Sequence, residues 1–297
     1  MLRKPKTKIV KPEVVTVNQD SELLPFLIAK FPERKRPIIK KVMGGGQILI
    51  GKQVIKAFNH PLKKGDKLTI HWHKPPPERK TTKFHVVHED ESIIVINKLA
   101  GLLSITDNKV ANVNAFNLVK EYLREEYDNA TLFLVHRLDK DASGLMVFAK
   151  NLIAQKALQH QIESGAWYQE FVALTEGVPS TKDGVLKHWL TESKAFIVYA
   201  SDFDNKGQEA ITEYLVKKEV KGIGVLKLVP KTHRKNQLRA QLKHIGHSIL
   251  GDKKYGASSN PISRLALHGN VLRFKHPKTN EVVEYRSTIP TKFKRVI

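Results

Sequence analysis

The sequence predicts an α+β protein, with a small amino-terminal α/β unit and a larger domain built on a mixed, mostly antiparallel sheet with packed helices. Three observations lead to this fold class. Residues 81–297 contain many short apolar or alternating runs, which are typical of strands. Only three helical patterns lie among those runs. A stiff proline run at residues 75–77 separates them from two short helical patterns and a glycine turn.

The smaller unit is predicted to span residues 13–73. Ser21–Phe31 places four apolar side chains at helical spacing, and Pro25 falls in the first turn, where proline is tolerated. A second short helix is predicted at Ile38–Met43, and three consecutive glycines at residues 44–46 would end it. The predicted strands of this unit are Gln47–Ile50 and Leu68–Trp72.

The larger domain is predicted to span residues 81–297, after a polar proline-rich linker at residues 74–80. Its predicted strands are Val86–Val87, Ile93–Ile96, Leu132–Val135, Leu145–Phe148, Phe171–Leu174, Val225–Val229 and Val271–Phe274. Its predicted helices are Val113–Glu126, Leu152–Ser164 and Asn236–Ile245. Residues 1–12 are interpreted as a flexible basic arm that precedes both domains.

The chain carries a strong positive charge. Its 51 Lys and Arg residues against 29 Asp and Glu residues give a formal net charge of +22. This charge favours a polyanionic partner, because each neutralised phosphate releases condensed counterions. Nucleic acid is the partner that we expect, and an anionic membrane surface or a merely basic, soluble surface are the alternatives.

Composition excludes several kinds of site. The chain has no cysteine, so disulfides and cysteine-based zinc sites are excluded. No apolar run approaches the roughly 18 residues that a transmembrane helix needs, so no membrane partner is expected. Residues 1–12 lack the apolar region of a secretory signal. The expected location is the cytoplasm, with an organellar matrix as the alternative because this arm contains no acidic residue.

An apolar segment breaks abruptly near the middle of the chain. The run Leu132–Val135 stops at residues 136–139, HRLD, and a second apolar run begins at Leu145. A carboxylate at the mouth of two buried strands needs a nearby cation to stay ionised. Arg137 lies two residues from Asp139 and could supply it, as could an arginine farther along the chain. An isolated Arg-Asp pair of this kind is also common as a plain ion-paired turn.

The longer string around that break resembles a family signature. Residues 136–145, HRLDKDASGL, resemble the motif HRLDxxTSGL of the RluA-type pseudouridine synthases, with Ala142 where threonine is usual. Further motifs of the family are matched in order at residues 88–102, 170–177, 232–239, 246–256 and 267–277. The amino-terminal unit in turn resembles an S4-like RNA-binding domain, at residues 23–27, 46–51 and 61–68.

The resemblance implies isomerisation of uridine to pseudouridine within structured RNA. The glycosidic carbon–nitrogen bond is cleaved, the base rotates, and a carbon–carbon bond forms at ring carbon 5. This reaction requires no cofactor or metal, and we expect no metal site from the histidine pairs His71/His73 and His244/His247. Ribosomal RNA is the preferred substrate, transfer RNA is the alternative, and the protein is expected to act as a monomer.

The resemblance also implies roles for individual residues. Asp139 is the essential carboxylate, and Arg239 ion-pairs with it and keeps it ionised at neutral pH. Arg137 holds the extruded nucleotide or fills its vacated place, and His136 is a further substrate-binding residue; the nucleotide must leave its stack before the enzyme can reach both sugar and base. Phe171 belongs to the catalytic set, and its ring packs against the uracil, whereas Leu238 and Leu267 form the walls of the uracil pocket. The alternatives are Arg239 as a plain helix-surface arginine and Leu238 as an ordinary core residue.

The S4-like resemblance implies a basic helical face that binds structured RNA. The residues predicted to form it are Lys30, Arg34, Lys35, Arg36, Lys40 and Lys41. A merely solvated run of charge is the alternative interpretation.

Besides Ala142, and Leu99 in place of a proline, three positions depart from the family pattern. Phe171 stands where tyrosine is usual and lacks its hydroxyl, and Tyr168 lies at an odd offset that points to the other face of a strand. His233 replaces a glycine, and Asn236 replaces a histidine. Either the hydroxyl is dispensable, or the protein is a non-catalytic RNA-binding or ribosome-assembly factor on the same scaffold. A base-excising glycosylase would instead release free uracil.

Overall fold

The structure is a computed structural model that describes residues 12–51, 53–72, 83–106, 113–126 and 130–297. It divides into two compact units, one containing residues 12–72 and the other residues 83–124 and 130–297. The predicted arm lies outside the described residues except for its last residue, and the predicted linker lies wholly outside them. The boundary between the two predicted domains therefore stays a prediction.

The smaller unit packs two helices on a four-stranded antiparallel sheet of order β1-β6-β3-β4. Its elements are β1 (Glu13–Thr16), β2 (Ser21–Glu22), α1 (Leu23–Lys30), α2 (Arg36–Gly44), β3 (Ile48–Ile50), β4 (Gln53–Val54), β5 (Pro61–Leu62) and β6 (Lys67–Ile70). Leu23, Leu27, Ile39 and Met43 from the two helices are fully buried against the sheet residues of its core. Both predicted helices and both predicted strands are present, with shifted ends.

The described residues of the larger unit form eleven strands in one sheet, together with four α-helices. The strands are β7 (Phe84–Glu89), β8 (Ile93–Lys98), β9 (Phe133–Leu134), β10 (Ser143–Ala149), β11 (Tyr168–Glu176), β12 (Asp183–Glu192), β13 (Val198–Ser201), β14 (Gln208–Val220), β15 (Ile223–Pro230), β16 (Leu267–Lys275) and β17 (Val282–Arg286). The helices are α3 (Ala115–Glu126), α4 (Leu152–Glu163), α5 (Gln237–His244) and α6 (Thr291–Lys294).

The main path of this sheet runs β13-β12-β14-β15-β11-β16-β10-β8-β7, with β17 paired to β16 and β9 to β10. Among its described pairings, β10 with β16 is parallel and the others are antiparallel. The predicted class, α+β with a mixed and mostly antiparallel sheet, is confirmed. No helix among the described residues combines the length and apolarity needed to cross a bilayer.

The parallel contact between β10 and β16 depends on two glycines. Gly144 pairs with Gly269, and a Cβ at Gly144 would lie 2.4 Å from the Gly269 backbone nitrogen. Gly144 also has φ +130°, which L side chains rarely adopt. The close approach places the loop that precedes β10 beside the first residues of β16.

Candidate active site

The segment with residues 136–139 is a loop between β9 and β10, and its backbone is held by residues from another part of the chain. The Ser104 hydroxyl donates to the Leu138 carbonyl oxygen at 2.6 Å and accepts from the Leu138 N–H at 2.9 Å. The Gly101 N–H donates to the Lys140 carbonyl oxygen at 2.8 Å. These bonds fix the backbone on both sides of Asp139.

Lys98 provides a second anchor for the same loop. Its ammonium, fully buried at the end of β8, donates to the Ala142 carbonyl oxygen at 2.6 Å and to the Lys140 carbonyl oxygen at 3.2 Å. Further acceptors are the carbonyl oxygens of Leu99 and Leu102, at 3.1 and 2.8 Å. Burial lowers the pKa of Lys98 to about 7, and the negative charge of Asp139 opposes that shift. The sequence analysis did not identify Lys98 or Ser104, although both lie in or next to a segment matched to the family.

Asp139 lies beside Arg239, as the resemblance implies. Arg239 Nη1 is 3.4 Å from Asp139 Oδ2, and the Asp139 side chain keeps 25% of its surface exposed. Burial raises the pKa of the Asp139 carboxyl above its ordinary value, and the charge of Arg239 only partly offsets this. The nearby negative charge of Asp252 raises the pKa of Asp139 further. Arg239 therefore favours the ionised form of Asp139, but the pKa of the carboxyl stays above its ordinary value.

The tighter partner of Arg239 is Asp252, which sequence reasoning missed. Arg239 Nε and Nη2 donate to the two Asp252 carboxylate oxygens, each at 2.7 Å, and both side chains are buried. The Tyr255 ring lies 5.0 Å from the guanidinium carbon of Arg239, and the Asn236 side-chain oxygen accepts from Nη1 at 3.2 Å. This bidentate pair orients the arginine, so that Nη1 points to Asp139.

The predicted substrate residues share one cavity of about 280 Å³ next to Asp139. Its walls include His136, Arg137, Asp139, Phe171, Leu238 and Leu267. Arg239 instead lines a neighbouring groove of about 670 Å³, and Asp139 borders both spaces. The structure thus brings together all the residues that the resemblance implies for catalysis and substrate binding.

Tyr168 does not replace the hydroxyl that Phe171 lacks. Its hydroxyl donates to Glu170 at 3.0 Å, and its ring lies 4.5 Å from the Arg273 guanidinium carbon. The register shift in the β11–β16 pairing falls between Glu170 and Phe171, after Tyr168. Gln169, two residues before Phe171 on the same face of β11, lines the cavity instead. Sequence reasoning missed Gln169 because only hydroxyl groups were considered as replacements for the phenol that Phe171 lacks.

His136 is held as a neutral imidazole. Its Nε2 accepts from the Val147 N–H at 3.1 Å, so the ring proton is on Nδ1. Burial, with a smaller contribution from His233, lowers the pKa of His136 to about 3. The Nδ1–H is buried without a partner among the described groups, in a residue that lines the cavity.

Two departures from the family pattern have little effect on the backbone. His233, which replaces a glycine, does not have a positive φ. The left-handed conformation falls on Asn236, with φ 52°, immediately before α5. Asparagine is among the residues that tolerate this region best, so neither departure distorts the approach to Arg239.

The two histidine pairs considered as metal ligands differ in what the structure describes. His73 lies outside the described residues, and α5 ends at His244, before His247. Within the described part of the chain, His188, Asp202 and His244 do place three ligand atoms within 4.8 Å of one another. His188 Nδ1 faces the Gln241 amide nitrogen at 3.3 Å, so its proton lies on Nε2, beside Asp202. Asp202 Oδ1 is hydrogen-bonded to His244 Nε2 at 3.0 Å and lies 3.4 Å from His188 Nε2.

The six basic residues predicted for RNA binding all lie in the smaller unit and are all exposed. Lys30 ends α1, Arg36 begins α2, and Lys40 and Lys41 follow on its outer face. Arg34 lies over the Trp72 ring at 4.9 Å, which holds part of the connection between the helices.

Comparison with known proteins shows the family of the chain. The RNA pseudouridylate synthase family matches residues 92–244, just over half of the 297-residue chain. The Ribosomal large subunit pseudouridine synthase C of Rickettsia bellii is 30% identical over 304 residues, covering 95% of this chain and 100% of that protein. The Uncharacterized RNA pseudouridine synthase YhcT of Bacillus subtilis is 26% identical and covers 95% of both chains.

A solved structure agrees in fold. The structure titled Human RNA Pseudouridylate Synthase Domain Containing 4 superposes with a TM-score of 0.59 at 23% identity, covering 71% of this chain and 90% of that one. The family match, together with the relative that aligns over its full length, identifies the chain. It belongs to the RluA-type family of RNA pseudouridine synthases, which are isomerases.

Proposed function

We propose that the chain isomerises uridine to pseudouridine in the RNA of the large ribosomal subunit, and that the reaction depends on the Asp139 carboxylate. The observation that carries this proposal is the position of Asp139, which lines both the cavity and the groove and lies beside a buried arginine. The name of the Rickettsia bellii relative favours ribosomal RNA over transfer RNA. Action as a monomer in the cytoplasm belongs to the same proposal.

The proposed reaction conserves every atom. The C1′–N1 bond of the uridine breaks and a C1′–C5 bond forms, while the C5 proton is lost and N1 gains one. Asp139 acts on the ribose or the base of the extruded nucleotide, and the Phe171 ring packs against the uracil in the cavity. Because Phe171 has no hydroxyl, removal of the C5 proton in this chain does not depend on a phenol at that position.

The groove beside Asp139 supports the approach of an RNA strand. Besides Arg239, its basic lining residues are Lys140, Lys235, Lys253, Lys254 and Arg264. Such a groove attracts the phosphodiester backbone on either side of an extruded nucleotide. Backbone in the groove and base in the cavity would bring the sugar to the Asp139 carboxylate, which borders both spaces.

The second candidate function is an RNA-binding or ribosome-assembly factor that does not catalyse. Phe171 favours it, because the hydroxyl usual at that position is absent. The intact arrangement of Asp139, Arg239 and Asp252 favours catalysis, since an ionised carboxylate kept partly buried beside an oriented arginine has a folding cost and no evident structural purpose.

The test uses ribosomal and transfer RNA from cells that lack the protein. Each RNA pool is incubated with purified wild type or with Asp139→Asn, and pseudouridines are mapped by carbodiimide treatment and primer extension. We expect a new stop in ribosomal RNA with wild type only. RNA binding by both proteins, with no new pseudouridine in either pool, would contradict the proposal and favour the assembly factor.

A further inference from the structure

We propose that the Gln169 side-chain amide is a hydrogen-bond donor to a carbonyl oxygen of the extruded uracil, and so a residue that positions and selects the base. This inference rests on the proposed function. It begins from a polar group that the fold leaves unsatisfied. Gln169 is only 3% exposed, and its Nε2 has no hydrogen-bond partner among the described groups.

An unpaired buried amide is unfavourable, because it has lost water without gaining a replacement. Such groups in folded proteins call for a specific reason. Here the reason is the surroundings: Gln169 lines the same cavity as Asp139 and Phe171. A bound base would supply the missing partner. The cost of burying the amide would then be recovered when the substrate binds.

The space around the amide is built from neighbouring backbone and ring atoms. Gly269 lies opposite, and a Cβ at Gly269 would be 3.6 Å from Gln169 Nε2 and 3.3 Å from a Phe171 ring carbon. A side chain at Gly269 would therefore fill the space next to both groups. Gln169 and Phe171 stand two residues apart on the same face of β11, so the amide lies beside the ring that packs on the base.

His136, which also lines the cavity, provides a second hydrogen-bond donor, because its ring proton is held on Nδ1. Its Nδ1–H is unpartnered, and the Val147 N–H bond to Nε2 keeps the proton on Nδ1. Uracil carries two carbonyl oxygens, which are acceptors, whereas cytosine replaces one of them with an amino group that can only donate. At position 4 a donor pairs with the carbonyl oxygen of uracil but faces the amino group of cytosine, whereas O2 is an acceptor in both bases. A donor contact at O4 is therefore the one that selects uracil.

The test weakens the proposed hydrogen bond by changing the acceptor atom of the uracil. Single-turnover isomerisation is followed on an RNA with the mapped target as uridine, 2-thiouridine or 4-thiouridine, because sulfur accepts hydrogen bonds more weakly than oxygen. For wild type we expect a slower reaction with one of the thio substrates. We call this loss of rate on replacing oxygen by sulfur the thio penalty. Gln169→Met should react roughly 10-fold more slowly than wild type with uridine, as loss of one net hydrogen bond implies. The same variant should show no thio penalty.

A structural role for Gln169 predicts different results. If its amide supported the fold, Gln169→Met would lower Tm, whereas removal of an unpaired amide should leave Tm unchanged or raise it. Gln155→Met is the matched control, since the Gln155 amide already donates to the Leu134 carbonyl oxygen at 2.9 Å. That variant should keep the wild-type thio penalty.

Two outcomes overturn the inference. Gln169→Met with wild-type rates on all three substrates would show that the amide does not contact the base, while the proposed function would stand. A wild-type enzyme that leaves the uridine substrate unchanged would contradict the proposed function itself, and the assignment of Gln169 with it.

Discussion

Asp139 lies in a partly buried position where ionisation of its carboxyl is unfavourable. Burial raises its pKa, Arg239 offsets part of the effect, and Asp252 adds to it. A carboxyl that is harder to ionise in the folded chain costs folding free energy once it is ionised, and this cost appears as pH rises through its folded pKa. At neutral pH the residue is therefore retained at the expense of stability, which is common at functional sites.

Replacement of that carboxyl separates activity from stability. We expect Asp139→Asn to abolish isomerisation and to melt at the wild-type temperature or up to roughly 4 °C above it, because about 1 kcal/mol corresponds to 2–4 °C in a domain of this size. Differential scanning calorimetry at pH 7 measures the shift. A fall in Tm would mean that the Asp139 charge stabilises the fold through Arg239.

The pH dependence of the reaction follows from the same shift. Activity requires ionised Asp139, so the rate should fall on the acid side through a pKa above the ordinary value of about 3.9. Single-turnover rates from pH 4.5 to 8 with one RNA substrate would locate this limb, with far-ultraviolet circular dichroism to verify that the enzyme stays folded. A rate that stays flat down to pH 4.5 would contradict the raised pKa.

At the scale of elements, the candidate site depends on a loop that a distant segment of the chain holds in place. Lys98 is the last residue of β8 and Ser104 follows that strand, and both contact the backbone of residues 138–142 before β10. Strand β8 pairs with β10, which brings the two stretches together. The geometry of Asp139 is thus set by backbone hydrogen bonds as much as by its arginine.

Ser104→Ala tests this support. The change removes two hydrogen bonds and leaves the Leu138 N–H buried without a partner, which costs about 1–3 kcal/mol. We expect a lower urea midpoint and a single-turnover rate at least roughly 10-fold below wild type, since small displacements of a reacting group slow reactions strongly. Thr131→Ala is the control, because it loses a hydrogen bond to the Lys150 carbonyl oxygen away from the cavity. Equal rates for both variants would contradict the role of the loop.

Much of the fold was predictable because its strands and helices carry clear patterns. The runs at Ile93–Ile96 and Leu145–Phe148 lie on neighbouring strands, buried on both faces, and α4 follows its pattern within one residue. The long strands β12 and β14 were missed. Their outward positions are largely charged, and exposed residues alternate with buried ones, as in KHWLTE and QEAITEYLV. The sequences of such strands therefore resemble those of polar loops.

The site was only partly predictable for a different reason. Asp139 and Arg239 stand in motifs, but their partners are chosen by tertiary contact. Asp252 binds Arg239 more tightly than Asp139 does, and Gln169 borders the cavity because of the face it takes on β11. Sequence spacing does not encode which of several acidic residues a distant arginine meets.

At the scale of the whole molecule, the dominant property is the formal net charge of +22. Basic residues line the groove beside Asp139 in the larger unit, and a further set covers the outer faces of α1, α2 and the segment between them in the smaller unit. We propose that the smaller unit contributes affinity for structured RNA and that the cavity selects the base. The two contributions should respond differently to salt.

The salt dependence of RNA binding measures the contribution of the smaller unit. Replacing Lys40 and Lys41 together by alanine should weaken binding and reduce the slope of log K against log salt by about 1.4–1.8, the value for two lost phosphate contacts. Lys217 and Lys218, both exposed on β14, are the matched control and should leave the slope unchanged when replaced by alanine. Fluorescence anisotropy with the intact protein provides both curves. Equal slopes for all three proteins would mean that the face on α2 does not contact RNA.

The most direct test of the account is tritium release from ribosomal RNA labelled with [5-³H]uridine and prepared from cells that lack the protein. Pseudouridine formation replaces the C5 proton, so each isomerised target releases one tritium to water. The account predicts release by wild type up to a stoichiometric plateau, and none above background by Asp139→Asn at equal RNA binding. Release by both proteins would contradict the role of Asp139, and release by neither would contradict the proposed substrate.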